Sequence, residues 1–280
     1  MNIKNLLNNY SKKLHFLPSH IAKLDSEILL SKIIKKDRKY LILNPQQEIN
    51  DKNIKLFNCL IERRKNGEPI AYIVKNKEFW KNNFYINNDV LIPRPDTEIL
   101  VEETLKLYKP NYKLKVLEVG VGSGCILLSI LKERKNFSGV GIDVSKKAIN
   151  VASFNAKMHH LENRTMFYKS DVDKFLIGKY DLVISNPPYI KYQDLKYLEK
   201  DIVEYEPMIA LSGGHDGLSK ITKVINRTIV LLKKNGKFVL EIGFDQRDKV
   251  INILKNNNFY INKVVKDYAR NDRCIISTKL

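Results

Sequence analysis

The sequence is poor in the residues and patterns that stabilise or localise many proteins. Its three cysteines, Cys59, Cys125 and Cys274, lie far apart in 280 residues and match neither a disulfide framework nor a zinc site. No apolar run approaches the roughly 20 residues that cross a bilayer, and no secretion-type apolar segment follows the first lysines. We therefore expect a cytoplasmic protein of a reducing compartment, with no metal ion and no membrane contact.

Acidic residues are also few, and this raises the question of a nucleic-acid partner. The sequence contains 31 Asp and Glu residues but 49 Lys and Arg residues, which gives a net charge of +18. Such a charge is typical of proteins that bind polyanions. However, only 10 of the 49 basic residues are Arg, the residue that bidentate phosphate recognition favours, and the lysines are scattered. We interpret the charge as a compositional preference for Lys and expect no direct nucleic-acid target.

Length and hydrophobic patterning predict two domains and a connecting segment. A hydrophobic content of 44% excludes a wholly disordered chain. Apolar residues at helical spacing predict a small all-helical domain over residues 1–69, and β-rich stretches predict a β-hairpin linker over 70–93. From residue 94 to 280, strands alternate with helices, which is typical of an α/β, doubly wound, Rossmann-like sheet.

A glycine-rich loop lies where the first strand of this sheet is expected to end. Gly120, Val121, Gly122, Ser123 and Gly124 follow Glu118-Val119 and precede a helix. Ligands of open α/β sheets bind at such loops, where glycines let the backbone approach them closely. The spacing G-x-G-x-G differs from the G-x-G-x-x-G of dinucleotide sites, which argues against a nicotinamide cofactor. Asp143 ends the next strand, where an acid can accept hydrogen bonds from both ribose hydroxyls.

A second motif, Asn186-Pro187-Pro188-Tyr189, breaks a buried strand abruptly. Two prolines cannot donate to a sheet and fix a rigid corner. Together with the glycine loop, this motif resembles the class I S-adenosylmethionine-dependent methyltransferases that modify planar nitrogens. In such chemistry the carbonyls of Asn186 and Pro187 would accept the N–H bonds of the target amide, and Tyr189 would lie flat against it.

Further motifs along the chain are similar to those of the release factor glutamine methyltransferase (HemK/PrmC) family. They occur in matching order from about residue 25 to the end: Asp25–Leu30, Arg63-Arg64, Glu68–Tyr72, Glu78–Trp80, Leu91–Glu98, Tyr205–Pro207, Asp216–Leu218 and Glu241–Gly243. Members of this family methylate the glutamine side chain in the Gly-Gly-Gln loop of class 1 peptide-chain release factors.

The resemblance implies a set of site residues. The cofactor, S-adenosylmethionine, would contact Gly120, Val121, Gly122, Ser123, Gly124, Asp143, Val172 and Asn186. Asn186, Pro187 and Tyr189 would be catalytic, and Asn186, Pro187, Pro188 and Tyr189 would hold the glutamine. Arg94 and Glu98 would help to shape the pocket. The resemblance also implies a monomer whose helical domain contacts the release factor.

The sequence departs from the family pattern at three positions, and it does not settle the substrate. Val172 stands where many relatives have an aromatic residue, and Lys75 and Arg270 each stand where the family commonly has Gly. A glutamine of a large-subunit ribosomal protein would suit the same Asn-Pro-Pro-Tyr motif. The sequence is also compatible with an adenine methyltransferase of nucleic acid, or with a binding module that has lost catalysis.

Overall fold

The computed structural model describes all 280 residues and divides them into two compact units. The first unit comprises residues 1–75 together with 200–205, and the second comprises 76–199 together with 206–280. No helix is both long and apolar enough to cross a membrane.

The first unit is helical. Its N-terminal helices are α1 (Ile3–Ser11), α2 (Ser19–Ile34), α3 (Arg38–Leu43), α4 (Asp51–Lys65) and α5 (Ile70–Val74). Leu29, Leu30, Phe57 and Ile61 are fully buried in its core. The side chains of Asn2, Asp37 and Asn50 cap α1, α3 and α4 by accepting a backbone N–H, as short polar residues do at helix starts.

The expectation of β-structure at Ala71–Val74 is wrong, because this segment lies in helix α5. The run of Ala, Tyr, Ile and Val favours a strand locally. Pro69 precedes the helix, and Ala71, Tyr72 and Ile73 are all buried. Burial of three successive side chains suits a helix in the core of the unit, so packing outweighs the local β-propensity. The stretch Val90–Ile92, also expected to be β-rich, forms no strand.

A β-hairpin does follow, formed by β1 (Lys77–Phe79) and β2 (Asn82–Phe84). Its two turn residues, Trp80 and Lys81, both have positive φ, of 45° and 59°. A two-residue turn of this kind matches the twist of the paired strands. Phe79 and Phe84 are buried and their rings pack edge to face, which anchors the hairpin in the core of the second unit.

The second unit is built on a seven-stranded sheet, which confirms the predicted fold class. Its strands are β3 (Lys115–Val119), β4 (Ser138–Asp143), β5 (Thr165–Lys169), β6 (Tyr180–Ser185), β9 (Leu232–Glu241), β10 (Phe259–Lys266) and β11 (Asp272–Lys279), with the two-stranded pair β7 (Ile190–Lys191) and β8 (Ser212–Gly214) between β6 and β9 in the chain. The spatial order is β10-β11-β9-β6-β3-β4-β5; the strands from β9 to β5 pair in parallel and β11 pairs antiparallel with both of its neighbours.

Helices cover the sheet or connect its strands, and two large hydrophobic clusters and one small one are packed in this unit. The helices are α6 (Glu98–Leu107), α7 (Cys125–Glu133), α8 (Lys146–Met158), α10 (Ser219–Leu231) and α11 (Arg247–Asn256); the remaining one, α9 (Lys200–Tyr205), belongs to the first unit. One cluster contains residues of α6 and α7, and the other contains residues of α10 and α11. Helix α9 and the β7–β8 pair were not predicted.

The strand order places the two predicted motifs side by side. The chain runs from β3 to β4 and β5 on one side and then returns to β6 on the other, so the order reverses at β3. Ligands bind at such a reversal, beyond the carboxyl ends of the strands. Val119 at the end of β3 pairs in register with Ser185 at the end of β6, so the loop after each strand begins at the same edge.

Candidate active site

The glycine loop from Gly120 to Gly124 joins β3 to α7 and adopts a conformation that needs glycine. Gly120, Gly122 and Gly124 have positive φ of 75°, 52° and 79°. A Cβ atom at Gly122 would meet nothing within 4 Å, and one at Gly120 would meet only the Asn186 carbonyl oxygen at 3.9 Å. These two glycines therefore keep the space in front of the loop open.

Gly124 has a different role from the other two glycines. A Cβ atom there would lie 3.1 Å from Leu128 and 3.4 Å from Ala152, both of which are helix side chains. Its N–H donates to the carbonyl of Val121 at 2.7 Å. Gly124 thus permits close packing under the loop and does not line the cavity in front of it.

Asp143, at the end of β4, ties the glycine loop to the next strand. One carboxylate oxygen accepts the N–H of Gly122 at 3.0 Å, and the other accepts the N–H of Ser145 at 2.9 Å. Burial raises the pKa of this carboxyl above its usual value, while these backbone donors oppose the rise. The N–H of Val144 also acts on this carboxylate. A carboxylate has about four lone-pair sites, so it can still accept a ligand hydroxyl.

The corner from Asn186 to Tyr189 follows β6 directly. The Nδ2 group of Asn186 donates to the Thr97 hydroxyl at 3.2 Å, and no protein group donates to its Oδ1 atom. Pro187 is buried, and the hydroxyl of Ser185 donates to the Val119 carbonyl at 2.8 Å, which holds the ends of the two strands together.

Tyr189 lies behind this corner, in contact with buried charged groups. Its hydroxyl donates to Glu241 Oε1 at 3.3 Å and accepts from Arg273 Nη1 at 3.4 Å. Burial raises the pKa of the phenol, and the nearby Glu241 carboxylate raises it further. Tyr189 does not line the cavity.

The loop from Ser212 to Gly217 packs tightly against Tyr189. A Cβ atom at Gly213 would lie 2.8 Å from the Tyr189 Cα atom, and one at Gly217 would lie 2.5 Å from its carbonyl oxygen. The Nε2 group of Gln246 donates to the carbonyls of Tyr189 and Gly217 at 3.0 and 3.1 Å. The sequence pattern of this segment predicts only a loop leading into a helix. In the structure the segment also supports the corner.

A cavity of about 340 Å³ opens in front of these groups. Of the predicted site residues, it is lined by Gly120, Val121, Gly122, Ser123, Asp143, Val172, Asn186, Pro187 and Pro188. Asp171, which precedes Val172, also lines it. The structure thus brings most of the predicted set to one concave site, whereas Gly124, Tyr189 and Glu98 do not line it.

Arg94 and Glu98 are separated by the structure. Arg94 lines the cavity and donates to Glu206 Oε1 at 2.5 Å, and the other Glu206 oxygen accepts the N–H of Ile92 at 3.1 Å. Glu98 instead accepts the N–H of Trp80 at 2.9 Å and so holds the turn of the hairpin. No cluster of three or more His, Cys, Asp or Glu residues is arranged to hold a metal ion.

Three functional side chains were missed as site residues. Thr97 holds Asn186, Glu241 holds Tyr189, and Asn155 connects the hairpin to the glycine loop. The Asn155 amide donates to the carbonyls of Tyr85 and Ser123, both at 2.9 Å. Thr97 and Glu241 lie within two of the motifs that resemble the family, but those motifs gave neither residue a role at the site. Asn155 had no sequence signal.

Two family models match the chain. The model described as PrmC N-terminal domain matches residues 5–74, and the model described as methyltransferase small domain matches residues 95–215. The first match lies within the helical unit, and the second spans the glycine loop, Asp143 and the Asn186–Tyr189 corner.

Curated relatives match over nearly the whole chain. A release factor glutamine methyltransferase of Buchnera aphidicola (from Acyrthosiphon pisum) is 38% identical over 100% of this chain and 99% of that protein. Another, of Clostridium acetobutylicum, is 41% identical over 91% of this chain and 90% of that protein. A bifunctional methyltransferase of Rickettsia typhi is 35% identical over 98% of this chain but only 56% of that protein.

A solved structure shares the fold. The ribosomal protein L11 methylase of Lactobacillus delbrueckii subsp. bulgaricus superposes with a TM-score of 0.51 at 19% identity. The match covers 67% of this chain and 81% of that protein, and it supports the methyltransferase architecture.

Proposed function

The chain belongs to the family of release factor glutamine methyltransferases, and we propose that it methylates the glutamine of the Gly-Gly-Gln motif in class 1 peptide-chain release factors. The methyl donor is S-adenosylmethionine, and the acceptor is the side-chain amide nitrogen. The observation that carries the proposal is the near full-length identity of 38% to 41% with relatives of that name. The Asn186–Pro188 corner at the wall of the cavity supports it.

The residues around the cavity fit S-adenosylmethionine. Gly120 and Gly122 keep the loop surface free of side chains, so the methionine part could lie against the backbone. Asp143 would accept the ribose hydroxyls, and Asp171 with Val172 would lie beside the adenine. Val172 is aliphatic, so it would pack against the base without aromatic stacking. When bound, this cofactor supplies a methyl group that is already activated on a sulfonium sulfur.

The chain's own contribution is to hold the target amide in the reactive geometry. An amide nitrogen is a poor nucleophile because its lone pair is delocalised. The free Asn186 Oδ1 atom and the Pro187 carbonyl would accept its two N–H bonds and favour a geometry in which the lone pair faces the methyl group. The rigid Pro187-Pro188 corner keeps both acceptors in place.

Tyr189 completes the proposed catalytic and substrate-holding set. Its hydroxyl is held by Glu241 and Arg273, and its carbonyl is held by Gln246. These contacts fix the end of the corner, so Tyr189 would keep the preceding acceptors aligned with the planar group of the glutamine.

We assign recognition of the release factor body to the helical unit, which matches the PrmC N-terminal domain model. Release factors act in translation, so the proposed substrate also supports a cytoplasmic location. The monomeric state stays a prediction, which sedimentation of the purified protein would test.

The proposal is tested by transfer of labelled methyl from S-adenosylmethionine to a recombinant class 1 release factor. We expect one label per factor on the wild-type substrate and none when the glutamine of its Gly-Gly-Gln motif is replaced by Glu. Absence of label on the wild-type factor, or equal label on both factors, would refute the proposal. Label appearing on large-subunit ribosomal proteins instead would identify a different substrate.

A further inference from the structure

The proposed reaction uses only one end of the Asn186 amide. Its Oδ1 atom can accept an N–H from the substrate, whereas its Nδ2 group can only donate. The two ends have nearly the same shape, so the hydrogen-bond partners decide which end faces the cavity. In the structure Nδ2 donates to the Thr97 hydroxyl at 3.2 Å.

Thr97 alone cannot fix this orientation. A hydroxyl both donates and accepts, so it could equally donate its proton to Asn186 Oδ1 and turn Nδ2 toward the substrate. Thr97 is only 3% exposed, so water has little access to its proton. The orientation of Asn186 therefore depends on a third group that takes the Thr97 proton.

Glu241 is placed to be that group. It ends β9 beside the corner and is only 2% exposed. Its Oε1 atom accepts the Tyr189 hydroxyl proton at 3.3 Å, whereas its Oε2 atom is buried with no hydrogen-bond partner. Thr97 and Glu241 contact the same four-residue corner, Thr97 at Asn186 and Glu241 at Tyr189. The Thr97 hydroxyl also lowers the pKa of this carboxyl, which burial raises.

We propose that Glu241 is a positioning residue that acts through Thr97 to hold Asn186 Oδ1 toward the substrate amide. An ionised carboxylate can only accept, so it draws the Thr97 proton to itself. The Thr97 oxygen must then accept from Asn186, which forces Nδ2 away from the substrate. The proposal rests on the proposed methylation for the use made of this orientation, but the orientation itself can be observed without any substrate.

The protonation state of Glu241 determines whether it can hold the Asn186 amide in this orientation. Burial raises its pKa to about 7; Asp96 raises it too, while Thr97, Arg273 on β11 and Tyr189 lower it. Cys274, its register partner on β11, is another titratable neighbour, and burial raises the pKa of that thiol. Above about pH 7 the carboxyl is ionised, so its unpartnered oxygen can accept the Thr97 proton. Below that pH the protonated carboxyl can donate to Thr97, and the Asn186 amide is free to turn over.

Nuclear magnetic resonance of the unliganded, full-length protein with ¹⁵N-labelled Asn tests this directly. The Asn186 side-chain signals are assigned by their loss in Asn186→Ala. In wild type we expect them to shift with a midpoint near pH 7, as the Glu241 carboxyl titrates. In Glu241→Gln, which keeps the size of the side chain, we expect no such midpoint.

Three further variants separate orientation from general structure. Thr97→Val removes the hydroxyl at constant volume and should abolish the Asn186 titration, whereas Thr97→Ser should keep it. Glu103→Gln makes the same change at another buried carboxyl, one that pairs with Lys106 and Lys263 and does not contact Asn186. It should leave the titration intact. A midpoint that persists in Glu241→Gln or in Thr97→Val would overturn the proposal.

Kinetics with the release factor give a second readout. The kcat of wild type should fall below about pH 7, where Glu241 protonates. Glu241→Gln should lower kcat roughly tenfold and remove this pH dependence, because misplaced groups near reacting atoms cost up to about 10²-fold. Its affinity for S-adenosylmethionine, measured by calorimetry, should stay within about twofold. Loss of cofactor affinity together with kcat would contradict a positioning role.

The two proposals fail separately. If Asn186 titrates as expected but the release factor receives no methyl group, the proposed function is wrong and the positioning role stands. If the release factor is methylated but Asn186 does not respond to Glu241, the positioning role is wrong.

Discussion

At the scale of single residues, two asparagines show how one residue type serves two purposes. Asn186 lies at the cavity and makes one hydrogen bond, to Thr97. Asn155 is fully buried and makes three, which link Tyr85 of the hairpin segment to Ser123 of the glycine loop. We therefore expect Asn186 to matter for turnover and Asn155 for stability.

Substitution of each asparagine by alanine tests this division. Asn186→Ala should lower kcat by about 10²- to 10³-fold, as the loss of one preorganised polar group commonly does. Its Tm should fall by no more than about 2–4 °C, since one hydrogen bond contributes about 1 kcal/mol. Asn155→Ala should lose more stability, because it leaves buried backbone groups of Tyr85 and Ser123 unpaired. A large drop in Tm for Asn186→Ala would show that the corner is structural.

At the scale of elements, the turn from β3 into α7 combines an open loop surface with a tightly packed base. Gly122 faces free space at the cavity, whereas Gly124 faces Leu128 and Ala152. Both have positive φ, so a side chain at either position strains the backbone. Only at Gly124 would a side chain also crowd the helices.

Substitution of these two glycines by alanine should affect stability and cofactor binding to different degrees. Gly122→Ala should lower stability by about 1 kcal/mol through backbone strain and should weaken S-adenosylmethionine binding, because the new methyl group enters the cavity. Gly124→Ala should cost about 1 kcal/mol more, through overpacking, with a smaller effect on binding. Urea denaturation and calorimetry measure the two effects. If both variants behave alike, the loop is not divided in this way.

Helix α5 ends at a lysine in a conformation that suits glycine. Lys75 has φ of 56° and is exposed. Burial lowers the pKa of Lys32, and the charge of Lys75 lowers it further. Arg270, the other position where the family commonly has Gly, has φ of 66°. The structure thus keeps the glycine-type backbone at both positions despite the substitutions.

Lys75→Gly should stabilise the helical unit. Relief of the left-handed strain, less the added freedom of glycine in the unfolded chain, should yield about 0.5–1 kcal/mol. Lys109→Gly is a matched control, since Lys109 is also exposed but is not among the residues of positive φ. It should give no gain in Tm. Equal gains in both variants would mean that removal of charge, and not of strain, is responsible.

At the scale of the whole molecule, the net charge of +18 is not concentrated at the cavity. The cavity is lined by four acidic residues, Asp89, Glu118, Asp143 and Asp171, and by three basic ones, Arg94, Lys220 and Lys223. Lys223 is paired with Asp173 at 2.8 Å, and Arg94 is paired with Glu206. A site built to bind a phosphate backbone would be lined mainly by basic residues.

The salt dependence of methyl transfer tests whether the site acts on a nucleic acid. A protein that makes six to ten phosphate contacts loses about 10³- to 10⁵-fold in affinity between 50 and 200 mM salt. We expect kcat/KM for the release factor to change by less than about tenfold over this range, and we expect no transfer to DNA or RNA. A steep loss with salt together with methylated nucleic acid would favour a nucleic-acid substrate.

The sequence by itself determined the fold class, the strand–helix alternation and the glycine-loop, strand-end and corner residues that line part of the cavity. Gly120–Gly124, Asp143 and Asn186–Tyr189 are recognisable because their roles depend on backbone conformation and on position at strand ends, which local sequence encodes. Helix α5 was predicted as β-structure because its β-branched residues favour strands. It is a helix because its side chains are buried in the core, where packing outweighs this propensity.

Only the tertiary structure decided which side chains support the site from behind. Thr97, Asn155 and Glu241 lie 89, 32 and 52 residues from their partners Asn186, Ser123 and Tyr189. No periodicity or local motif relates positions so far apart. The order in which the strands pair brings them together, and burial then gives each hydrogen bond and charge an effect that it would lack in water.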